Sequence, residues 1–154
     1  MAVAKNNATL ALKVVVVIAV FCVLSELGLS QSDINLYPKT IHVIVMNSLG
    51  PQNVLSVHCK SADNDLGQKD VVFNQQYEWS FKLQVFDRTL FWCNAWWYDH
   101  GKLVSKNFDI FKAPDMDHSC GPSHTVCHRK FQFDGIYFEK EDGSYSKSFD
   151  WSRS

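Results

Sequence analysis

The nine residues Thr89-Leu90-Phe91-Trp92-Cys93-Asn94-Ala95-Trp96-Trp97 hold four aromatics and one cysteine, with no glycine, proline or charge. Aromatic side chains pack better on a pleated sheet than on a helix, and the run is short, so it reads as a strand. Successive side chains on a strand point to opposite faces. Leu90, Trp92, Asn94 and Trp96 share one face; Phe91, Cys93, Ala95 and Trp97 share the other. Both faces are mostly apolar, which predicts a central strand covered on both sides, with Cys93 inside a core.

The start of the chain has a different character. Lys5 and Lys13 precede an unbroken apolar run, Val14–Leu24, and small residues follow at Ser25, Gly28 and Ser30. A basic segment, an apolar segment of about ten residues and a small-residue cleavage site describe a secretory signal peptide. The run is shorter than the ~20 residues a membrane-spanning helix needs. Cleavage is expected after Ser30, with Gly28 at position −3, leaving residues 31–154 as one domain; Ser25 is the alternative site.

That cut removes Lys5, Lys13, Glu26 and Cys22. Of 15 basic and 16 acidic residues it leaves 15 − 2 = 13 and 16 − 1 = 15, a net charge of −2. Nothing in this balance points to nucleic acid. All six histidines remain. Imidazoles titrate near pH 6.5, so at about pH 5.5 the net charge would approach roughly +3, enough for weak association with acidic polysaccharide. Cys59, Cys93, Cys120 and Cys127 remain as well, an even set that reads as two disulfides in a small secreted domain. Four cysteines allow three pairings. The expectation is Cys59–Cys127 with Cys93–Cys120, because mid-strand cysteines suit a bridge between core strands.

Further strands follow from patterning. Thr40–Asn47 is a β-branched run, and Val54–Lys60 alternates. Gln76–Gln84 alternates most cleanly, with Tyr77, Trp79, Phe81 and Leu83 on one face. Leu103–Phe111 and Val126–Phe133 are strands, the latter with Cys127, Phe131 and Phe133 facing one way. Ile136–Lys140 and Ser144–Trp151 form a hairpin. Gly50-Pro51, His100-Gly101, Asp134-Gly135 and Asp142-Gly143 are turns. Ser61–Gly67 reads as a polar loop, and Val71–Phe73 as a short edge strand. The sum is an all-β, disulfide-stapled antiparallel β-sandwich of about eight short strands.

Several chemical readings fail on inspection. Asp63-Asn64-Asp65-Leu66-Gly67 begins like a calcium loop, but position 12 is Asn74 where glutamate is required. His118, Cys120, His124, Cys127 and His128 have zinc-like spacing, but disulfide-bonded cysteines offer no thiolate. His58 beside Cys59 suggests a thiol–imidazole pair, with the same objection. No nucleophile elbow, phosphate loop or zinc-protease motif occurs. Trp92, Trp96 and Trp97 could stack against sugars, although core packing is the commoner fate of tryptophan.

Taken in order, Val57-His58-Cys59-Lys60-Ser61, Asp63-x-Asp65-Leu66-Gly67, Tyr77-x-Trp79-x-Phe81, Thr89-Leu90-Phe91-Trp92-Cys93, Cys120, Cys127 and Asp134-Gly135-Ile136-Tyr137 resemble the plant self-incompatibility S-protein homologue family. The resemblance spans about Ile41 to Phe138. One departure stands out: two residues after the last cysteine the family often has tryptophan, and this chain has Arg129. The resemblance implies a secreted, non-enzymatic, cofactor-free plant protein of the apoplast, a monomeric ligand recognised by a cell-surface receptor protein. In the founding system a stigma protein is recognised by a pollen-surface protein, and recognition of self arrests pollen. The alternative is an extracellular glycan-binding or defence module of the cell wall.

Loops vary freely on a rigid scaffold and so carry recognition. The longest unpatterned stretch is Lys112–Thr125, fastened at its far end by Cys120 and Cys127. Its Asp115, Met116, Asp117, His118 and His124 are the expected receptor-binding residues, with His100–Lys106 as the neighbouring segment.

Overall fold

The computed structural model describes residues 15–18, 39–83, 89–113 and 120–154. Tyr37–Ser154 is a compact unit separate from Met1–Leu36. Its described residues form strands β1 (Lys39–Ser48), β2 (Leu55–Lys60), β3 (Asp65–Val71), β4 (Gln76–Leu83), β5 (Leu90–Asp99), β6 (Lys102–Lys112), β7 (Val126–Gln132), β8 (Gly135–Glu139), β9 (Tyr145–Phe149) and β10 (Ser152–Arg153).

The strands make two five-stranded sheets, ordered β4-β1-β7-β8-β9 and β10-β6-β5-β2-β3. All pairs are antiparallel except β1 with β7, which run parallel. The inner faces meet in an aromatic core. Phe81 of the first sheet packs on Phe91 and Phe111 of the second, at 4.7 and 5.0 Å between ring centres. Phe108 of the second sheet packs on Phe131 and Phe149 of the first. Ile41, Val43 and Val45 line the same core from β1, as its β-branched pattern requires.

The turns obey local chemistry. His100 and Gly101 both have positive φ, 50° and 81°, the geometry a two-residue hairpin needs between Asp99 and Lys102. Gly135 is required for a different reason: a Cβ there would lie 2.7 Å from the Phe149 carbonyl on β9.

The structure corrects five expectations. The central run is covered on one face only: Phe91, Cys93, Ala95 and Trp97 are buried, whereas Trp92 and Asn94 are exposed. The disulfides are Cys59–Cys93 and Cys120–Cys127. Cys59 and Cys93 are directly opposed on neighbouring antiparallel strands, so they meet each other before any partner across the core. The loop expected over Ser61–Gly67 ends at Asn64, and Asp65–Val71 forms the edge strand β3 in place of the short Val71–Phe73 strand, polar because it is the sheet's margin. Phe133 lies past the end of β7 and is 48% exposed, and the inner-face residue between Cys127 and Phe131 is Arg129, fully buried. Finally, the His100-Gly101 turn and Ala113 stand at opposite ends of the eleven-residue β6, so His100–Lys106 does not flank the root of the predicted loop.

Arg129 explains how a cation is held in that core. Its Nε donates to the Ile110 carbonyl at 3.2 Å, and its guanidinium lies 3.8 Å from the centre of the Phe138 ring. Burial pushes its pKa down to about 9, opposed by attraction to Glu139. It remains charged at neutral pH.

Candidate functional site

The outer face of the second sheet is the most chemically differentiated surface of the described residues. The outward residues of β5 are Leu90, Trp92, Asn94, Trp96 and Tyr98, so three aromatics flank one carboxamide. Strand pairing extends each into a row. Trp92 lies between Lys60 of β2 and Asp109 of β6, and Asn94 between His58 and Asn107. Trp96 lies between Ser56 and Ser105.

Two β-bulges shape this grid. Between His58 and Lys60 the β2–β3 register shifts from Gln68 to Asp65, one extra residue on β3, and Gly67 there takes φ 68°. Between Phe91 and Trp92 the β5–β6 register shifts from Phe111 to Asp109, again one extra residue. A bulge bends its strand and re-aims side chains. Here the two bulges bring Asp65 and Asp109 to the Lys60–Trp92 row from opposite sides. The result is a concavity of about 630 Å³ lined by His58, Lys60, Trp92, Asn94, Asn107 and Asp109, with Cys93 and Phe108 contributing to its floor.

Asp65 organises one wall. Its carboxylate is 2.9 Å from Lys60 Nζ and 2.5 Å from His58 Nε2, and accepts a 2.9 Å hydrogen bond from the Gly67 N–H. The Lys60 ammonium, then the His58 ring and the Gly67 amide, hold its pKa well below the usual carboxylate range. Beneath the patch, the Cys59–Cys93 bridge ties β2 to β5.

Five of the residues that shape this patch, His58, Lys60, Asp65, Gly67 and Trp92, come from the ordered motifs of the sequence. Residues 42–151 match the family profile described as plant self-incompatibility protein S1. The chain belongs to that family. S-protein homolog 21 of Arabidopsis thaliana is 33% identical over 118 residues, 75% of this chain and 86% of that protein. S-protein homolog 3 of the same plant is 30% identical over 148 residues, 92% of this chain and 94% of that one. Self-incompatibility protein S1 of Papaver rhoeas is 28% identical over 123 residues, 79% and 85% of the two chains. A solved structure shares the fold with a TM-score of 0.53 at 22% identity, covering 76% of this chain and 97% of its own. It represents SPH (Self-Incompatibility Protein Homologue) proteins, described as small, highly stable, secreted proteins from plants.

Of the other predicted site residues in this S-protein homologue, only His124 is among the described residues. Asp115, Met116, Asp117 and His118 lie outside the described residues. His124 has positive φ, 54°, and its Nδ1 is 4.0 Å from Glu141 Oε1 at the surface. The two described roots of the predicted loop are both fastened. The Ala113 N–H donates to the Thr89 carbonyl at 2.9 Å, and Cys120 is bonded to Cys127. The sulfurs of Cys120 and Cys127 are joined to each other, so neither is a zinc-binding thiolate. His58 points away from the Cys59 disulfide and toward Asp65, which dissolves the thiol–imidazole reading. Of the three tryptophans, Trp97 is buried and Trp92 and Trp96 face outward.

Proposed function

We propose that this S-protein homologue is a secreted, non-enzymatic protein ligand read by a receptor protein at the surface of another plant cell, with residues 1–30 acting as a signal peptide cleaved after Ser30. It acts in the apoplast as a monomer. Two of the four edge strands carry charges that oppose strand-to-strand association, Asp65, Lys69 and Asp70 on β3 and Glu78 and Lys82 on β4. Protonated histidines in acidic wall fluid would add a weak, non-specific attraction to acidic polysaccharide.

One observation carries the receptor reading. The segment between Ala113 and Cys120 has both of its roots fastened to a rigid sandwich, one by a backbone hydrogen bond and the other by a disulfide. Such a segment can vary in sequence without disturbing the fold and loses less entropy on binding than a free one. Asp115, Met116, Asp117, His118 and His124 are the residues proposed to meet the receptor. The test replaces Pro114–His118 with a Gly/Ser stretch and measures saturable binding of the labelled, secreted protein to intact plant cells. Folding and secretion should persist while protease-sensitive binding is lost. Undiminished binding by the folded variant would remove the loop from this role.

A further inference from the structure

We infer that the concave outer face of the second sheet is a binding site for a neutral glycan chain, with Trp92 as its stacking platform. This goes beyond the receptor reading, since it concerns a different set of residues and needs no receptor.

The first argument is exposure. Trp92 is 40% exposed and Tyr98 60% exposed on the same strand face, with Trp96 half-buried between them. An exposed indole offers a large, rigid apolar surface at little conformational cost. A pyranose ring has the complementary shape: one face of C–H groups for the indole, and hydroxyls at its rim for hydrogen bonding. Trp92 and Trp96 are four residues apart on an extended strand, about 13 Å, a span that a short oligosaccharide covers.

The second argument is polar supply. Among the described residues the side chains of Asn94, Asn107 and Asp109 make no hydrogen bond or ion pair, although all three line the concavity. Two carboxamides and a carboxylate provide donors and acceptors in the mixed pattern that vicinal hydroxyls require. Asp109 is half-buried at the edge of the concavity, where its carboxylate can accept from a bound hydroxyl. His58, by contrast, is committed to Asp65, and so is Lys60.

The third argument is charge, and it selects the sugar class. Lys60 is neutralised by Asp65 at 2.9 Å, and Asp109 adds an uncompensated negative charge. An anionic chain such as oligogalacturonate would meet repulsion at Asp109 and find both basic residues of the described lining, His58 and Lys60, already paired with Asp65. A neutral β-linked chain meets neither penalty.

The experiment titrates the secreted protein at pH 7 with cellohexaose and, separately, with oligogalacturonate, following intrinsic Trp fluorescence and the indole N–H resonances. Saturable binding of cellohexaose is expected, with the Trp92 signal shifting and the buried Trp97 signal unmoved. Trp92→Ala should weaken it at least tenfold, and Asn107→Ala severalfold, with thermal melting of each variant unchanged. Asp109→Asn should preserve cellohexaose binding and improve tolerance of oligogalacturonate. Absence of saturable cellohexaose binding would overturn the inference, as would binding indifferent to Trp92→Ala or preference for oligogalacturonate. Loss of receptor binding in the loop-swapped variant leaves all of these readouts untouched.

Discussion

Removing the two disulfides separately should give different losses, because they close loops of different size. The Cys59–Cys93 bridge has a sequence separation of 34 and the Cys120–Cys127 bridge one of 7. In the chain-entropy model a bridge stabilises by restricting the unfolded chain, which gives about 3.8 kcal/mol for the first and about 2.4 kcal/mol for the second. All four cysteines are buried, between 0% and 7% exposed, so cutting each pair back to alanine adds a similar loss of packing to both. The packing losses largely cancel in the comparison, leaving a difference of about 1.4 kcal/mol. With a urea dependence of about 1.5 kcal/mol/M the two unfolding midpoints should lie roughly 1 M apart.

The assay is urea unfolding of Cys59→Ala/Cys93→Ala and of Cys120→Ala/Cys127→Ala, with thiol titration of each folded variant. The paired removal leaves the other bridge whole, so neither variant should expose a free thiol. Two reactive thiols in either variant would show that the cysteines are paired across the two bridges. Equal or reversed midpoints would refute the loop-size argument itself. The Cys59–Cys93 variant should also loosen the outer face, since β2 and β5 carry five of the residues that line the concavity.

Three further outcomes follow from buried or clustered polar groups. Asn47 is fully buried; its Nδ2 donates to the Asn53 and Val71 carbonyls and its Oδ1 accepts from the Leu49 N–H. Asn47→Ala strands three backbone groups and should cost about 3–5 kcal/mol in urea unfolding. Arg129→Ala opens a cavity and takes a buried cation from Glu139, an expected loss of about 3–5 kcal/mol. Arg129→Met, which keeps the volume, should lose less, and more so when combined with Glu139→Gln. Asp65 has a depressed folded pKa, so its stabilisation is present above its ordinary value of 3.8 and is lost progressively as the pH falls from there through the folded value. Carbon NMR of its carboxyl should therefore show it ionised throughout pH 4–6. Lys60→Met should raise its titration point, and no change in that variant would remove Lys60 as the main cause.

Much of the sandwich was legible because most strands bury one face and wet the other. Tyr77, Trp79, Phe81 and Leu83 alternate with Glu78, Ser80 and Lys82, and β4 forms there. Disulfide pairing was not legible, because it depends on which strand lies beside β5, and β2 reaches that place from 34 residues away. The edge strand β3 was not legible either: with solvent along one margin and a bulge at Leu66-Gly67, it has no alternation to read. The site failed for a third reason. Period-two reasoning treats an apolar face as a buried face, and the face of Leu90, Trp92 and Trp96 is apolar yet open to solvent. Asp65 and Asp109 reach it only through bulges, where the period slips by one residue. One signal did point the right way. A core face would not carry an unsatisfied carboxamide in mid-strand, so Asn94, set between Trp92 and Trp96, already distinguished the wet face of β5 from the face that holds Cys93.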